Sequence, residues 1–251
     1  MQPARPFWPF PRVIAHRGGG VLAPENTLAG LRLARNLGFA GVEFDVKLSQ
    51  DGVPVLFHDD ALSRTTDGEG QVCDTSFAAL AALDAGSWFG NEFAAEPVPA
   101  FAAALVLCRE AGLWANVEIK PAPGSEARTG RVTAKMAKRL GQGMDPPLLL
   151  SSFSAAALEA ARAEAPELPR AWLCGEPPAD WQARLDALDC VALHCDWRHV
   201  DRALVEAVHR SHRGLLAYTV NDSEAALDLL EMGVDALVTD ELQVIGPAFA
   251  L

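Results

Sequence analysis

A (β/α)₈ barrel is the fold class this sequence predicts, on three observations. The chain has 251 residues, close to the roughly 250 of that fold. Short apolar runs alternate with helix-patterned segments from Arg12 onward, giving eight parallel strands once one hairpin return is set aside. Polar and charged residues recur at the carboxyl ends of those runs, where barrels of this class build their sites. A doubly wound open sheet is the alternative, but it gives no reason for such groups on so many strands. No glycine-rich dinucleotide fingerprint or P-loop is present, since RGGG has the spacing of neither.

Half of the residues are apolar, yet no run approaches the ~20 apolar residues of a membrane span. The N-terminus carries prolines and no apolar signal region, so a soluble cytoplasmic protein is expected. Five scattered cysteines, with no C-x-x-C, fit free thiols in a reducing compartment. Lysine plus arginine at 21 against aspartate plus glutamate at 33 gives a formal charge of −12. That balance argues against a nucleic-acid or anionic-membrane surface, so any phosphate must be met by locally placed charge.

The first strand ends in RVIAHRGGG. Its glycines let the backbone turn and approach a ligand, and Arg17 offers a planar fork for two phosphate oxygens. Asn26 or Thr27 then caps the helix LAGLRLARNLGF. The second strand, GVEFDVKL, has the two-residue period that puts Glu43, Asp45 and Lys47 on one face. SQDG carries the Asp-Gly signal of a tight turn, so VPVLFHD returns antiparallel. With Leu48 opposite Val53, His58 comes level with Glu43. Two carboxylates that could hold a hard divalent cation thereby meet an imidazole able to move protons near pH 7; a half-exposed hairpin with a solvated acidic face is the plainer alternative.

Residues 60 to about 98 are irregular apart from a short helix in SFAALAALDAG. So long a segment in a compact barrel points to function, and an insertion of about 46–98 capping the site is expected within a single domain, 1–251. FAAALVLCREAG resumes the barrel. WANVEIK places Asn116, Glu118 and Lys120 on one face. Thr129 to Leu140 is a basic amphipathic helix, and PLLLSSF is a strand ending at Ser151, Ser152 and Phe153. RAWLC, CVALHC with His194, LLAYTV with Tyr218, and DALVTD are the remaining strands. Their intervening helices include DSEAALDLLEMG, begun by Asp222 or Ser223 and ended by Gly233.

AHRGG, APENT, EFDVKLSQDGVPVLFHD, VEIKP, YTVN and GVDALVTD, in this order over Arg12 to Pro247, resemble the glycerophosphodiester phosphodiesterase family. The likeness is greatest to its short cytoplasmic bacterial members that accompany glycerol-3-phosphate uptake. The resemblance implies a barrel of the phosphatidylinositol-phospholipase-C-like type that hydrolyses glycerophosphodiesters to sn-glycerol 3-phosphate and an alcohol. Position by position, His16 and His58 match the family's general acid/base pair, and Glu43, Asp45 and Glu118 its ligands for Mg²⁺ or Ca²⁺. Arg17 and Lys120 match its phosphate-contacting cations, and Tyr218 stands where tryptophan is common. An all-carboxylate set suits a hard cation rather than zinc. Glu25, Phe153 and His194 are weaker substrate-side candidates, each with a structural alternative. Two other readings remain: a lysophospholipase D-like relative and a non-catalytic barrel that binds phosphodiesters. A small-molecule substrate is expected, without nucleic acid or stable membrane association; a homo-oligomer is left open.

Overall fold

The computed structural model describes residues 8–249; the N-terminal segment expected to lack a signal region lies largely outside them. Nine strands form one sheet, and eight of them, all but β3 (Pro54–Leu56), close into a parallel barrel. β1 (Val13–Ala15) pairs with β2 (Gly41–Leu48) on one side and β9 (Ala236–Thr239) on the other. From β9 the order continues through β8 (Gly214–Tyr218), β7 (Ala192–Asp196), β6 (Arg170–Cys174), β5 (Leu149–Ser152) and β4 (Trp114–Ile119) back to β2. β3 flanks β2 antiparallel, so the hairpin stands outside the barrel count as the sequence predicts.

The alternation along β2 sorts two cores. Val42, Phe44 and Val46 join the layer between strands and helices, where Phe44 meets Phe101 of α3 (Phe101–Ala111) edge-on. Each buried Phe there contributes roughly 1.5–3 kcal/mol. Glu43, Asp45 and Lys47 point the other way yet are also buried, at 5%, 1% and 4% exposure. The acidic face is therefore sequestered, and the solvated-hairpin alternative fails. A second apolar cluster fills the barrel's lower interior, where Trp8 and Phe10 pack with Ile14, Trp114 and Leu149.

The hairpin register is one residue away from the expected one. Leu48 pairs with Pro54, because Ser49 accepts from Val53 and takes that residue into the turn. The last rung of the ladder is Phe57 N donating to the Asp45 carbonyl at 3.1 Å, and His58 leaves it before its pairing would turn it away from the carboxylates. The following segment has its own small core, including Phe57, Leu62, Val72 and Leu80, and its helix α2 is only Phe77–Leu80. Asp84 accepts from the backbone of Gly86, Ser87 and Ala95, so the chain turns there instead of continuing helical. α1 (Leu28–Asn36) begins at Thr27, whose hydroxyl accepts from Gly30. α4 (Glu126–Leu140) starts three residues before the expected Thr129. α5 (Ala155–Glu164), α6 (Trp181–Leu188), α7 (Arg202–Arg210) and α8 (Ser223–Met232) complete the alternation, the last capped by Asp222 and ended by Gly233 at φ +114°.

Candidate active site

Parallel register brings the acidic residues of two strands together. Asp45 lies opposite Glu118 and Glu43 opposite Asn116. Carboxylate oxygens of Glu43, Asp45 and Glu118 all come within 4.8 Å of one another. Burial, then the neighbouring Asp45 charge, pushes Glu43 up to about 8 and Glu118 up to about 7. Burial would raise Asp45 too, but Lys120 and Arg17 outweigh it and hold this carboxylate below the ordinary aspartate range. Three confined carboxylates cannot all ionise unaided in a pocket this dry; a hard divalent cation would supply the missing positive charge through oxygen ligands. The donor set thus fits Mg²⁺ or Ca²⁺.

Two bases of opposite sequence origin flank the triad. His16, at the end of β1, has Nδ1 2.6 Å from Asp240 Oδ1, and its Nε2 is 3.9 Å from Glu43. Burial acts to lower its pKa, but the Asp240 hydrogen bond and the Glu43 charge outweigh that and keep it above the ordinary histidine value. His58 has Nδ1 2.5 Å from Asp59 Oδ1. Burial wins there over the Asp45 charge and the Asp59 hydrogen bond, and His58 titrates below an ordinary histidine. Each ring is therefore held at Nδ1 by its own carboxylate, a device that fixes tautomer and orientation.

Positive charge lies beside the triad. Lys120 Nζ is 3.2 Å from Glu118 and 3.5 Å from Asp45. Arg17 adopts a left-handed backbone, φ +48°, that turns its N–H onto Glu43 at 3.0 Å, while Nη1 donates to Glu25 at 2.7 Å. Its buried Nε makes no hydrogen bond among the described residues. Gly20, at φ +52°, passes so close to Asp240 that a Cβ would lie 2.2 Å from that residue's carbonyl oxygen.

Tyr218 closes another side of the rim. Its hydroxyl donates to the Cys174 carbonyl, and its ring stands edge-on to the exposed Phe153, centroids 6.2 Å apart. His194 corrects the sequence reading. It has no exposed surface, and its ring lies edge-on to Trp8 in the lower barrel. Burial pushes it down to about 3, so it is a neutral core group and cannot touch a ligand at the rim.

Sequence reasoning assigned no role in the site to four partners, although Asn221 stands among the polar residues at the strands' carboxyl ends. Asn26 donates to Asp45 Oδ2 at 2.8 Å and accepts from Asp45 N at 3.0 Å. Asn221 donates to Asp240 at 2.9 Å. Asp59 orients His58, and Arg64 joins Asp59 to Glu25. APENT carried the only local signal, since it offers both Asn26 and Thr27 where one cap suffices. Size does not mark the site: a groove of about 810 Å³ lies where the carboxyl ends of α4 and α5 approach β5 and β6, beyond the opposite end of the barrel.

A family model for glycerophosphoryl diester phosphodiesterases matches residues 16–244. The chain belongs to this family. A glycerophosphodiester phosphodiesterase of Caldanaerobacter subterraneus subsp. tengcongensis is 34% identical over 238 residues, 91% of this chain and 93% of that protein. An Oleispira antarctica phosphodiesterase, solved in complex with the product sn-glycerol-3-phosphate, superposes with a TM-score of 0.89 at 44% identity, covering 93% of this chain and 94% of that one. A glycerophosphodiester phosphodiesterase of Agrobacterium tumefaciens str. C58 superposes at 0.78 with 26% identity, covering 96% and 98%. This phosphodiesterase is thus an enzyme of the (β/α)₈ class, and no helix among its described residues is long and apolar enough to cross a membrane.

Proposed function

We propose that the protein hydrolyses glycerophosphodiesters derived from deacylated phospholipids, such as glycerophosphocholine or glycerophosphoethanolamine, to sn-glycerol 3-phosphate and the headgroup alcohol. The observation that carries this reading is one buried carboxylate triad flanked by two histidines, each anchored at Nδ1, with Arg17 and Lys120 beside it. The product bound to the Oleispira antarctica relative supports the substrate class.

Glu43, Asp45 and Glu118 would hold Mg²⁺ or Ca²⁺, which when bound offsets the negative charge of the phosphodiester. The remaining work belongs to this chain's own groups. Arg17 and Lys120 present preorganised positive charge to phosphate oxygens. With Nδ1 engaged by Asp240 or Asp59, each histidine is left Nε2 for proton transfer. One ring removes the proton of the attacking oxygen, the other delivers a proton to the leaving oxygen, and the roles can exchange in a second step. Glu25 supports Arg17, while Phe153 and Tyr218 wall the substrate's organic part.

The chain acts as one domain, 1–251, with the segment within about 46–98 serving as a cap. The contact of Glu96 with Ala29 N at 2.9 Å, beside the Arg64–Glu25 bridge, supports that role. A cytoplasmic setting is supported by five free cysteines. A lysophospholipase D-like activity would need an apolar groove beside the triad, where the groups facing it are mostly charged.

Glycerol 3-phosphate release from glycerophosphocholine is the test, after chelation and after Mg²⁺ or Ca²⁺ is restored, beside lysophosphatidylcholine as competing substrate. Release that stops on chelation, returns with metal and favours the deacylated substrate is expected. Metal-independent release, or preference for the lysolipid, would overturn the reading.

A further inference from the structure

Arg64 lies outside the carboxylate triad and both histidines, yet it touches the supports of each half of the site. Its Nε and Nη2 reach Asp59 at 2.5 and 3.0 Å, and its Nη1 and Nη2 reach Glu25 at 2.7 and 2.8 Å. One guanidinium thus grips two carboxylates, each through both oxygens. Those carboxylates are not idle: Asp59 holds His58 Nδ1, and Glu25 holds Arg17 Nη1. The chain of contacts runs unbroken from His58 through Asp59, Arg64 and Glu25 to Arg17, joining the segment after β3 to the loop after β1.

We propose that Arg64 is a positioning residue that sets the proton-transferring His58 and the phosphate-binding Arg17 in register with each other. The inference rests on the roles assigned above to those two residues. An ordinary half-exposed ion pair contributes little, because two long side chains must be held in one geometry. Arg64 differs in that its turn is already fixed. Leu62 and Thr66 on either side are buried, Thr66 donates to the Leu62 carbonyl at 2.8 Å, and Lys47 pins the adjacent Asp60 at 2.7 Å. The task also requires arginine specifically. A planar fork can span two carboxylates bidentately, whereas an ammonium is a point charge without that geometry. Asp59 stays ionised in this grip, because the Arg64 hydrogen bonds hold it far below the usual carboxylate range. An ionised Asp59 accepts from His58, which puts the ring proton on Nδ1 and leaves Nε2 for chemistry.

Arg64→Lys and Arg64→Met in the full chain, with the divalent cation present, test this by two readouts. Nitrogen NMR of His58 reads the tautomer without reference to activity, and steady-state kinetics on glycerophosphocholine reads its use. The expected result is loss of the single His58 tautomer in both variants. A fall in kcat/KM of roughly 10- to 100-fold for Arg64→Lys should accompany it, the usual cost of losing an outer support, with Tm near that of wild type. A His58 ring still locked in one tautomer in both variants would overturn the proposal, as would an Arg64→Lys enzyme of wild-type kcat/KM. Should His58→Ala prove fully active, the assigned role of His58 fails instead, and the tautomer readout alone decides whether Arg64 orients the ring.

Discussion

His194 gives a sharp test of how charge is excluded from the barrel interior. Its ring is wholly buried, and neither ring nitrogen has a hydrogen-bond partner among the described residues. Burial holds its pKa at about 3, whereas a histidine in the unfolded chain titrates near 6.5. Below the unfolded value the unfolded chain binds a proton that the folded chain refuses. Stability therefore falls as pH drops from about 6.5 toward 3, and the two values imply a loss of about 2 kcal/mol between pH 7 and pH 5 from this one group. Leucine fills a similar space and cannot titrate. Urea unfolding of wild type and His194→Leu at both pH values, with chelator present so that metal binding does not enter, should show wild type losing about 2 kcal/mol more than the variant. Equal losses in the two proteins would refute the reasoning. Because the ring lies below the rim, kcat/KM of the variant should match wild type.

Three further perturbations follow from particular contacts. Gly20→Ala would drive a Cβ to 2.2 Å from the Asp240 carbonyl at a left-handed backbone position; a stability loss of about 1–3 kcal/mol, seen by thermal unfolding, should come with reduced activity. Asp240→Asn keeps the shape but removes the charge opposite His16, so the His16 NMR titration should move to lower pH and kcat fall roughly 10- to 100-fold. Tyr218→Phe removes only the bond to the Cys174 carbonyl; denaturant unfolding should show a cost of about 1 kcal/mol, while KM for glycerophosphocholine stays unchanged because the ring facing Phe153 remains.

The barrel was legible because its signals are local. Two-residue alternation in GVEFDVKL and WANVEIK, caps such as Asp222 and stops such as Gly233 act within a few residues, and they placed Glu43, Asp45 and Glu118 correctly on shared faces. The register of the hairpin was not legible, since it turned on whether Ser49 would draw Val53 into the turn. The supports of the histidines were also hidden. Asp59 and Asp240 are adjacent to visible motifs, but what each holds depends on side-chain direction at chain separations up to 224 residues. His194 shows the converse: a strand end looks like a rim position in sequence, whereas the stagger of the barrel puts this ring against Trp8.

The proposed proton transfers depend on the two histidines. Release of sn-glycerol 3-phosphate from glycerophosphocholine should be measured for His16→Ala and His58→Ala beside wild type, all folded and supplied with Mg²⁺ or Ca²⁺. Removing either proton-transfer group should lower kcat by roughly 10²- to 10⁴-fold, with both variants still binding the cation at the carboxylate triad. Wild-type turnover in either variant would contradict the assignment.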